Sequence, residues 1–267
     1  MMTKSNGGYN YTAPLSSDKE IQKPNKFYPV CVDNFFKNPN LIRDLGLKLD
    51  KESDPSGRWP GYRSVPLWMI DENLNTQIIL KILNSYFDLS YQSLSWKSSE
   101  VTFQIQKGYS ENSDSLLNQG WIHQDSGEQL AGLIYMTPDA DLDTGTSLFN
   151  MKEEFKNNFK KNNTRLSKSA LYLNQKINEQ DYEKEITQLN NKFIEKTRFN
   201  NLYNRMIAYD SNEWHRANKL KSKNDRLTMV FFISDIELSE KTNTRLFPVE
   251  RINDEYDNNI EKRIKLL

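Results

Sequence analysis

The chain has 267 residues, long enough for one large domain or two small ones, and a single embellished barrel suits that length. Its 36 basic residues balance 36 acidic ones, so no global charge draws it toward nucleic acid, a membrane surface or an acidic partner. One cysteine, Cys31, excludes an intramolecular disulfide framework and a thiolate zinc cluster, and no apolar run is long enough to span a bilayer. A hydrophobic share of 36% with 12% aromatic residues supports a packed core. Because Met1 to Pro24 is polar without an apolar leader core, a cytoplasmic protein is expected.

Residues 1–26 carry Ser, Asn, Gly, Lys and Pro without an apolar period and are expected to form a flexible arm. A single domain is expected over 27–250, with a supporting part over 27–100, a barrel core over 101–235 and a polar tail over 251–267. Phe27 to Asp33 reads as a strand, and Asn38-Pro39 supplies an N-cap and a first-turn proline for a helix that Gly46 should shorten or weaken. Asp71 caps a second helix whose Leu74, Ile78, Ile79, Ile82 and Leu83 share a face.

Val101 to Gln106 alternates apolar and polar residues with the period of a half-buried strand. Trp121 to Asp125, Leu130 to Met136 and Thr146 to Phe149 read as three further strands, with Gly145 expected at a turn of positive φ. Residues 151–200 break the pattern, with eleven basic residues against seven acidic ones and a Tyr182, Ile186, Leu189, Phe193 series at helical spacing. A helical insertion capped near Asn178 and lying outside the barrel follows. Strands resume at Arg205 to Tyr209 and Arg226 to Ile233.

The chain has only two histidines. His123 and Asp125 stand two apart, so on a strand both point to one face. A distant histidine, for which His215 is the one candidate, would complete a two-His-one-carboxylate set that leaves coordination positions open. Eleven residues after His215, Arg226 and Thr228 share a face at the head of an apolar strand. A fixed guanidinium there can hold a carboxylate bidentately, and a hydroxyl can add a hydrogen bond; a surface salt bridge is the plainer alternative.

The strings Trp-Ile-His123-Gln-Asp125, Leu-Ile-Tyr135-Met-Thr-Pro138, Thr-Gly145-Thr-Ser-Leu-Phe149, Asn-Arg-Met-Ile-Ala-Tyr-Asp210, Trp-His215-Arg-Ala and Arg226-Leu-Thr228 occur in a family's order. Together they resemble the Fe(II)/2-oxoglutarate dioxygenases of the prolyl-hydroxylase-like branch. More loosely, Val32 to Phe36 and Trp59 to Ser64 resemble a phage- and bacteria-associated subgroup, for which the cytoplasm would be that of a host cell.

The resemblance implies a mainly β fold with flanking helices, a double-stranded β-helix (jelly-roll, cupin-like) barrel. It implies iron ligands at His123, Asp125 and His215, and a 2-oxoglutarate carboxylate held by Arg226 with Thr228. Tyr135 joins them if its register is right, since a slip of one residue turns it to the other face. The implied reaction consumes 2-oxoglutarate and O₂, releases succinate and CO₂, and hydroxylates a C–H bond, with a peptidyl or free amino-acid substrate favoured. Asp125 disfavours halogenation, which needs a small residue there. A catalytically silent barrel and a mononuclear metal hydrolase are the rival readings.

Trp121 is expected to share the face of His123 and line a substrate pocket, while Trp214 faces away from His215 into packing. Arg63 either anchors a charged substrate or forms a salt bridge. The sequence carries no nucleic-acid signature and leaves substrate and oligomeric state open.

Overall fold

The alternating run at Val101–Gln106 lies in a seven-stranded antiparallel sheet in the computed structural model, which describes residues 6–14, 23–24, 26–90, 92–125, 127–157 and 166–238. In chain order the first half holds β1 (Tyr9–Tyr11), β2 (Val30–Val32), α1 (Pro39–Lys48), β3 (Glu52–Ser53), β4 (Tyr62–Arg63), α2 (Glu72–Leu83), β5 (Leu94–Trp96) and β6 (Ser98–Gln106). There follow β7 (Leu130–Tyr135), β8 (Thr146–Met151), α3 (Glu153–Lys156), α4 (Leu166–Tyr172), α5 (Glu179–Asn190) and β9 (Phe193–Phe199). The described chain ends with β10 (Met206–Asp210), β11 (Trp214–Ala217), β12 (Arg226–Ser234) and β13 (Glu237–Leu238).

The large sheet runs β2-β10-β7-β12-β6-β4-β3, and a small sheet runs β11-β8-β9. An isolated bridge between His123 and His215 adds a further edge to the small sheet. Along the chain the barrel alternates between the two: β6 large, the His123 segment small, β7 large, β8 and β9 small, β10 large, β11 small, β12 large. This is the double-stranded β-helix, and its fold class is mainly β with flanking helices.

Strand periodicity separates the two faces of the large sheet. Leu227, Met229, Phe231 and Ile233, paired with Ile105, Phe103, Val101 and Ser99, turn outward onto α1 and α2 in the main apolar core. Arg226, Thr228, Val230 and Phe232, paired with Gln106, Gln104, Thr102 and Glu100, turn into the barrel. Asp71 accepts from the Leu74 N–H and caps α2 as its sequence suggests. Asn38 sits at the cap of α1 without a side-chain bond, leaving Pro39 to set the first turn.

Several elements depart from the sequence reading. Tyr9–Tyr11, inside the expected arm, pairs antiparallel with β5, and Tyr11 Oη donates to the Leu89 carbonyl at 2.7 Å. Three residues are too short a run for a periodic signal. The expected tail over 251–267 lies outside the described residues. Gly46 does not shorten α1; it lets the helix approach the sheet, since a Cβ there would stand 2.3 Å from the Phe103 ring. Gly145 has φ −75°, not the positive value expected, and its need is space: a Cβ would meet the Phe199 carbonyl oxygen at 1.9 Å.

The 151–200 segment is helical only to Asn190. Asn178 caps α5 by accepting from the Gln180 and Asp181 N–H groups, and Tyr182, Ile186 and Leu189 form its buried face. Phe193, the fourth member of the helical series, instead begins β9, where Phe193, Ile194, Thr197 and Phe199 suit a strand. α5 packs with Phe149 and Trp214 on the face of the small sheet turned away from the barrel.

Candidate active site

Three side chains converge at the mouth of the barrel, where His123, Asp125 and His215 offer ligand atoms all within 4.8 Å of one another. Their placement follows from backbone pairing. His123 and His215 exchange both main-chain hydrogen bonds, at 3.0 and 2.9 Å, which sets them opposite each other and on one face. The expected strand Trp121–Asp125 is reduced to this one bridge. Gly120 bonds to Ala217 and Asp125 to Ser211, so spans of three and two residues face spans of two and four on the other side. Such irregular pairing bends the segment and re-aims its side chains, as bulges do.

Each histidine ring is oriented by a carbonyl. His123 Nδ1 lies 2.8 Å from the Trp121 oxygen and His215 Nδ1 lies 2.9 Å from the Glu213 oxygen. A carbonyl only accepts, so in the neutral rings Nδ1 carries the proton and Nε2 carries the lone pair. Those lone pairs face Asp125, with Nε2 of His123 3.7 Å from Oδ1 and Nε2 of His215 3.4 Å from Oδ2. Both separations exceed a hydrogen bond, so the atoms converge without satisfying one another. Two imidazole nitrogens and one carboxylate suit a divalent transition metal with open positions.

Deeper in the same cavity lies Arg226, 2% exposed. Its Nε donates to the Thr144 carbonyl at 2.9 Å and Nη1 donates to Gln106 Oε1 at 2.5 Å. Among the described residues Nη2 meets no hydrogen-bond acceptor in good geometry, with the Tyr135 side chain the nearest polar group acting on the guanidinium, and the buried Thr228 hydroxyl beside it on β12 has no partner. Burial pulls the guanidinium below its usual range, offset in part by Tyr135 and Tyr209. Among the described residues no carboxylate pairs with Arg226. A buried cation without a carboxylate partner is costly to hold in a protein interior.

Tyr135 pairs in register with Thr228, so it faces inward; its ring lies 5.5 Å from the Arg226 guanidinium and its hydroxyl donates to Thr146 Oγ1 at 3.0 Å. Trp121 lines the cavity but is also buried packing, with Nε1 donating to the Tyr182 hydroxyl at 2.8 Å. Trp214 stacks tilted on Phe193 outside the barrel. Arg63 makes no salt bridge among the described residues; it lies over the Trp59 ring at 4.4 Å and at the mouth of the cavity.

The sequence reading did not single out Tyr209, whose buried ring lies 4.8 Å from His215 and walls the cavity. Burial, with the Asp125 charge nearby, raises its hydroxyl well above the usual range. Gln106 was missed as well, although glutamines at 104 and 106 on one strand face mark a polar interior. Arg58, Trp59, Lys168 and Tyr172 complete the rim, the last two from α4. The free volume inside is about 100 Å³.

No curated protein matches the chain. Among solved structures it is similar to HygX from Streptomyces hygroscopicus with nickel, 2-oxoglutarate and hygromycin B bound, at 11% identity and TM-score 0.45 over 80% of this chain and 83% of that one. It is also similar to a Trichoplax adhaerens prolyl hydroxylase in complex with a hypoxia inducible factor peptide fragment, at 11% identity and TM-score 0.40, covering 78% and 83%. The non-heme alpha ketoglutarate dependent epimerase SnoN from nogalamycin biosynthesis matches at 10% identity and TM-score 0.40, covering 77% of each chain. A family model matches residues 19–233, and the chain therefore belongs to DUF6445, a family of unknown function.

Proposed function

We propose that the protein is an Fe(II)- and 2-oxoglutarate-dependent oxygenase that hydroxylates a substrate C–H bond. One observation carries this reading: a His-Asp-His cluster shares a cavity with a buried arginine whose Nη2, like the Thr228 hydroxyl, meets no hydrogen-bond partner in good geometry. The cluster alone would suit a hydrolytic metal as well. A hydrolase has no use for an uncompensated arginine beside its metal, whereas a dicarboxylate cosubstrate needs a cation at its far end. The same pair of features weighs against a silent binding module.

In this reading His123, Asp125 and His215 hold the iron, with the two Nδ1–H···O=C bonds fixing ring orientation and tautomer. Arg226 and Thr228 receive the distal carboxylate of 2-oxoglutarate, while Gln106 and the Thr144 carbonyl keep the guanidinium in one orientation. Tyr135 supports the guanidinium from beneath. Leu133, Tyr209 and Val230 wall the cavity and limit water near the centre. The bound iron would supply oxidative decarboxylation of 2-oxoglutarate to succinate and CO₂, coupled to transfer of one oxygen atom of O₂ to the substrate. The substrate is a small molecule or a peptidyl group, with an amino-acid side chain favoured by the resemblance to the prolyl-hydroxylase-like branch.

The test is anaerobic titration of metal-free protein with Fe(II) and then with 2-oxoglutarate, followed by succinate measurement on admitting O₂. One iron per chain, 2-oxoglutarate binding that depends on the metal, and succinate release are expected. A protein that binds zinc but shows no affinity for 2-oxoglutarate would sink the oxygenase reading.

A further inference from the structure

Arg63 is one of three arginines that line this cavity, with Arg58 and Arg226, and neither the triad nor the Arg226 anchor uses it. Its position follows from register: Arg63 pairs with Gln104, and Gln104 pairs with Thr228, so the three stand in one row on the inner face of the large sheet. Two strand spacings separate Arg63 from Thr228, about 10 Å. Its guanidinium lies 4.4 Å from the Trp59 ring and 5.8 Å from the Phe232 ring, toward the mouth, whereas Arg226 is at the deep end of the same face.

Only one of its nitrogens is engaged, with Nε donating to Gln104 Oε1 at 3.2 Å. Among the described residues the two Nη groups have no hydrogen-bond or ion-pair partner. The neighbouring cation is different. Arg58 donates to Asp54 from both Nε and Nη2, so its charge is compensated within its own loop. Burial pushes Arg63 down to about 10, still cationic at neutral pH, with Glu100, Asp125 and Asp54 opposing that shift through space and Arg58 adding to it. Glu100 is exposed and water-screened, and Asp125 faces the histidines.

We propose that Arg63 is a substrate-binding residue and that the substrate is a monoanion, a carboxylic acid on an apolar or aromatic body. The proposal rests on the oxygenase reading of the triad. The two Nη groups of a guanidinium that lies over an aromatic ring remain available to a ligand, and their planar fork matches a carboxylate. One guanidinium without a paired carboxylate matches one carboxylate group. Trp59, Tyr172 and Phe232 around it offer apolar area to the body that carries the acid.

The experiment uses the full chain loaded with Fe(II) and 2-oxoglutarate under nitrogen. The probes are benzoate, phenylacetate, 3-phenylpropionate and N-acetyl-phenylalaninate, each beside its primary amide, titrated by calorimetry. Wild type is expected to bind at least one acid at least about 10-fold more tightly than its amide, the scale of one charge-assisted pair. Arg63→Gln should abolish that preference and Arg63→Lys should keep part of it. Wild type that binds no acid, or binds acids and amides alike, overturns the proposal, as does an Arg63→Gln variant that keeps the preference. Fe(II) and 2-oxoglutarate titrations of the same samples separate the two readings. Wild type without 2-oxoglutarate affinity refutes the oxygenase reading itself. Loss of 2-oxoglutarate affinity in Arg63→Gln alone would assign Arg63 to the cosubstrate and overturn its substrate role.

Discussion

Replacing Arg226 with alanine removes the one buried cation at the deep end of the barrel. The site it leaves has an unpartnered Thr228 hydroxyl, a Gln106 amide and a Thr144 carbonyl, and none of these carries charge. Loss of a charged pair in a desolvated pocket costs about 2–5 kcal/mol, so the dissociation constant of 2-oxoglutarate should rise about 30- to several-thousand-fold. Iron affinity should change little, because Arg226 contributes no atom to the metal cluster. Stability gives an independent readout. The uncompensated charge costs free energy in the ligand-free protein, so Arg226→Met, which fills the volume without the charge, should melt no lower than wild type. Wild type should gain about 2.7 kcal/mol when 2-oxoglutarate is present at 100 times its dissociation constant. That gain should be missing from Arg226→Met at the same concentration. Calorimetry and thermal melting with and without 2-oxoglutarate measure both effects. An unchanged dissociation constant in Arg226→Ala would refute the argument, since the anion receptor would then lie elsewhere.

His123→Ala, Asp125→Ala and His215→Ala should each abolish stoichiometric Fe(II) binding while the fold persists, because all three side chains face the cavity; a full complement of iron in any of them argues against the cluster. Gly46→Ala should destabilise the protein by about 1–3 kcal/mol, since the added methyl meets a buried Phe103 ring and this outweighs the gain of about 1 kcal/mol in helix propensity. A melting temperature at or above that of wild type would show that the ring can move. Asn178→Ala should cost about 1 kcal/mol at the start of α5. Faster amide exchange confined to α5 is the expected signature, and unchanged exchange there would count against the cap. Lys168→Met, on α4 at the rim, should leave Fe(II) and 2-oxoglutarate affinity unchanged; loss of either would draw the insertion into the metal site.

The site was legible because its chemistry is carried by rare residue types. With only two histidines in the chain, one of them two residues before an aspartate, the cluster could be named before any fold was known. Arg226 could be singled out for a related reason, as a charge at the head of an otherwise apolar strand, and the structure places it in the same cavity. Features that depend on what crosses the chain in space were not. Gly46 read as a weak helix residue, and only the packing of α1 against Phe103 shows that it permits close approach. Gly145 read as a turn glycine, while its requirement comes from the neighbouring strand at Phe199. Phe193 continued a helical series in sequence, yet a four-residue series cannot say where a helix stops, and the β-favouring residues after it decided otherwise. Arg63 could be placed beside a tryptophan in sequence, but the absence of a partner for its Nη groups belongs to the fold.

Charge balance gives the two arginines a joint meaning. Facing the cavity, Asp125 is the one carboxylate of the metal cluster, while Arg226 and Arg63 are cationic, Arg58 is neutralised by Asp54, and Lys168 at the rim donates to the Arg58 carbonyl. A divalent ion held by Asp125 would leave the cluster with one net positive charge, and the two arginines would each add another. In the proposed reading a dianionic cosubstrate would cancel two of these three, leaving Arg63 at the rim with Lys168 on the same rim. The remaining charge sits at the mouth, where the walls are aromatic and the dielectric is lower than in bulk water, so it acts strongly on whatever enters. A neutral substrate would leave the Arg63 charge without a partner at each turnover, whereas a monoanion would pair with it. In the proposed reading an order of binding would follow from the same geometry: Arg226 is deep and Arg63 is at the rim, so the cosubstrate would enter before an acid held at Arg63. Added monocarboxylate should therefore slow dissociation of 2-oxoglutarate from the iron-loaded protein under nitrogen. Stopped-flow chase with excess unlabelled 2-oxoglutarate measures this, and a dissociation rate indifferent to the acid would show that Arg63 and the cosubstrate do not share one path.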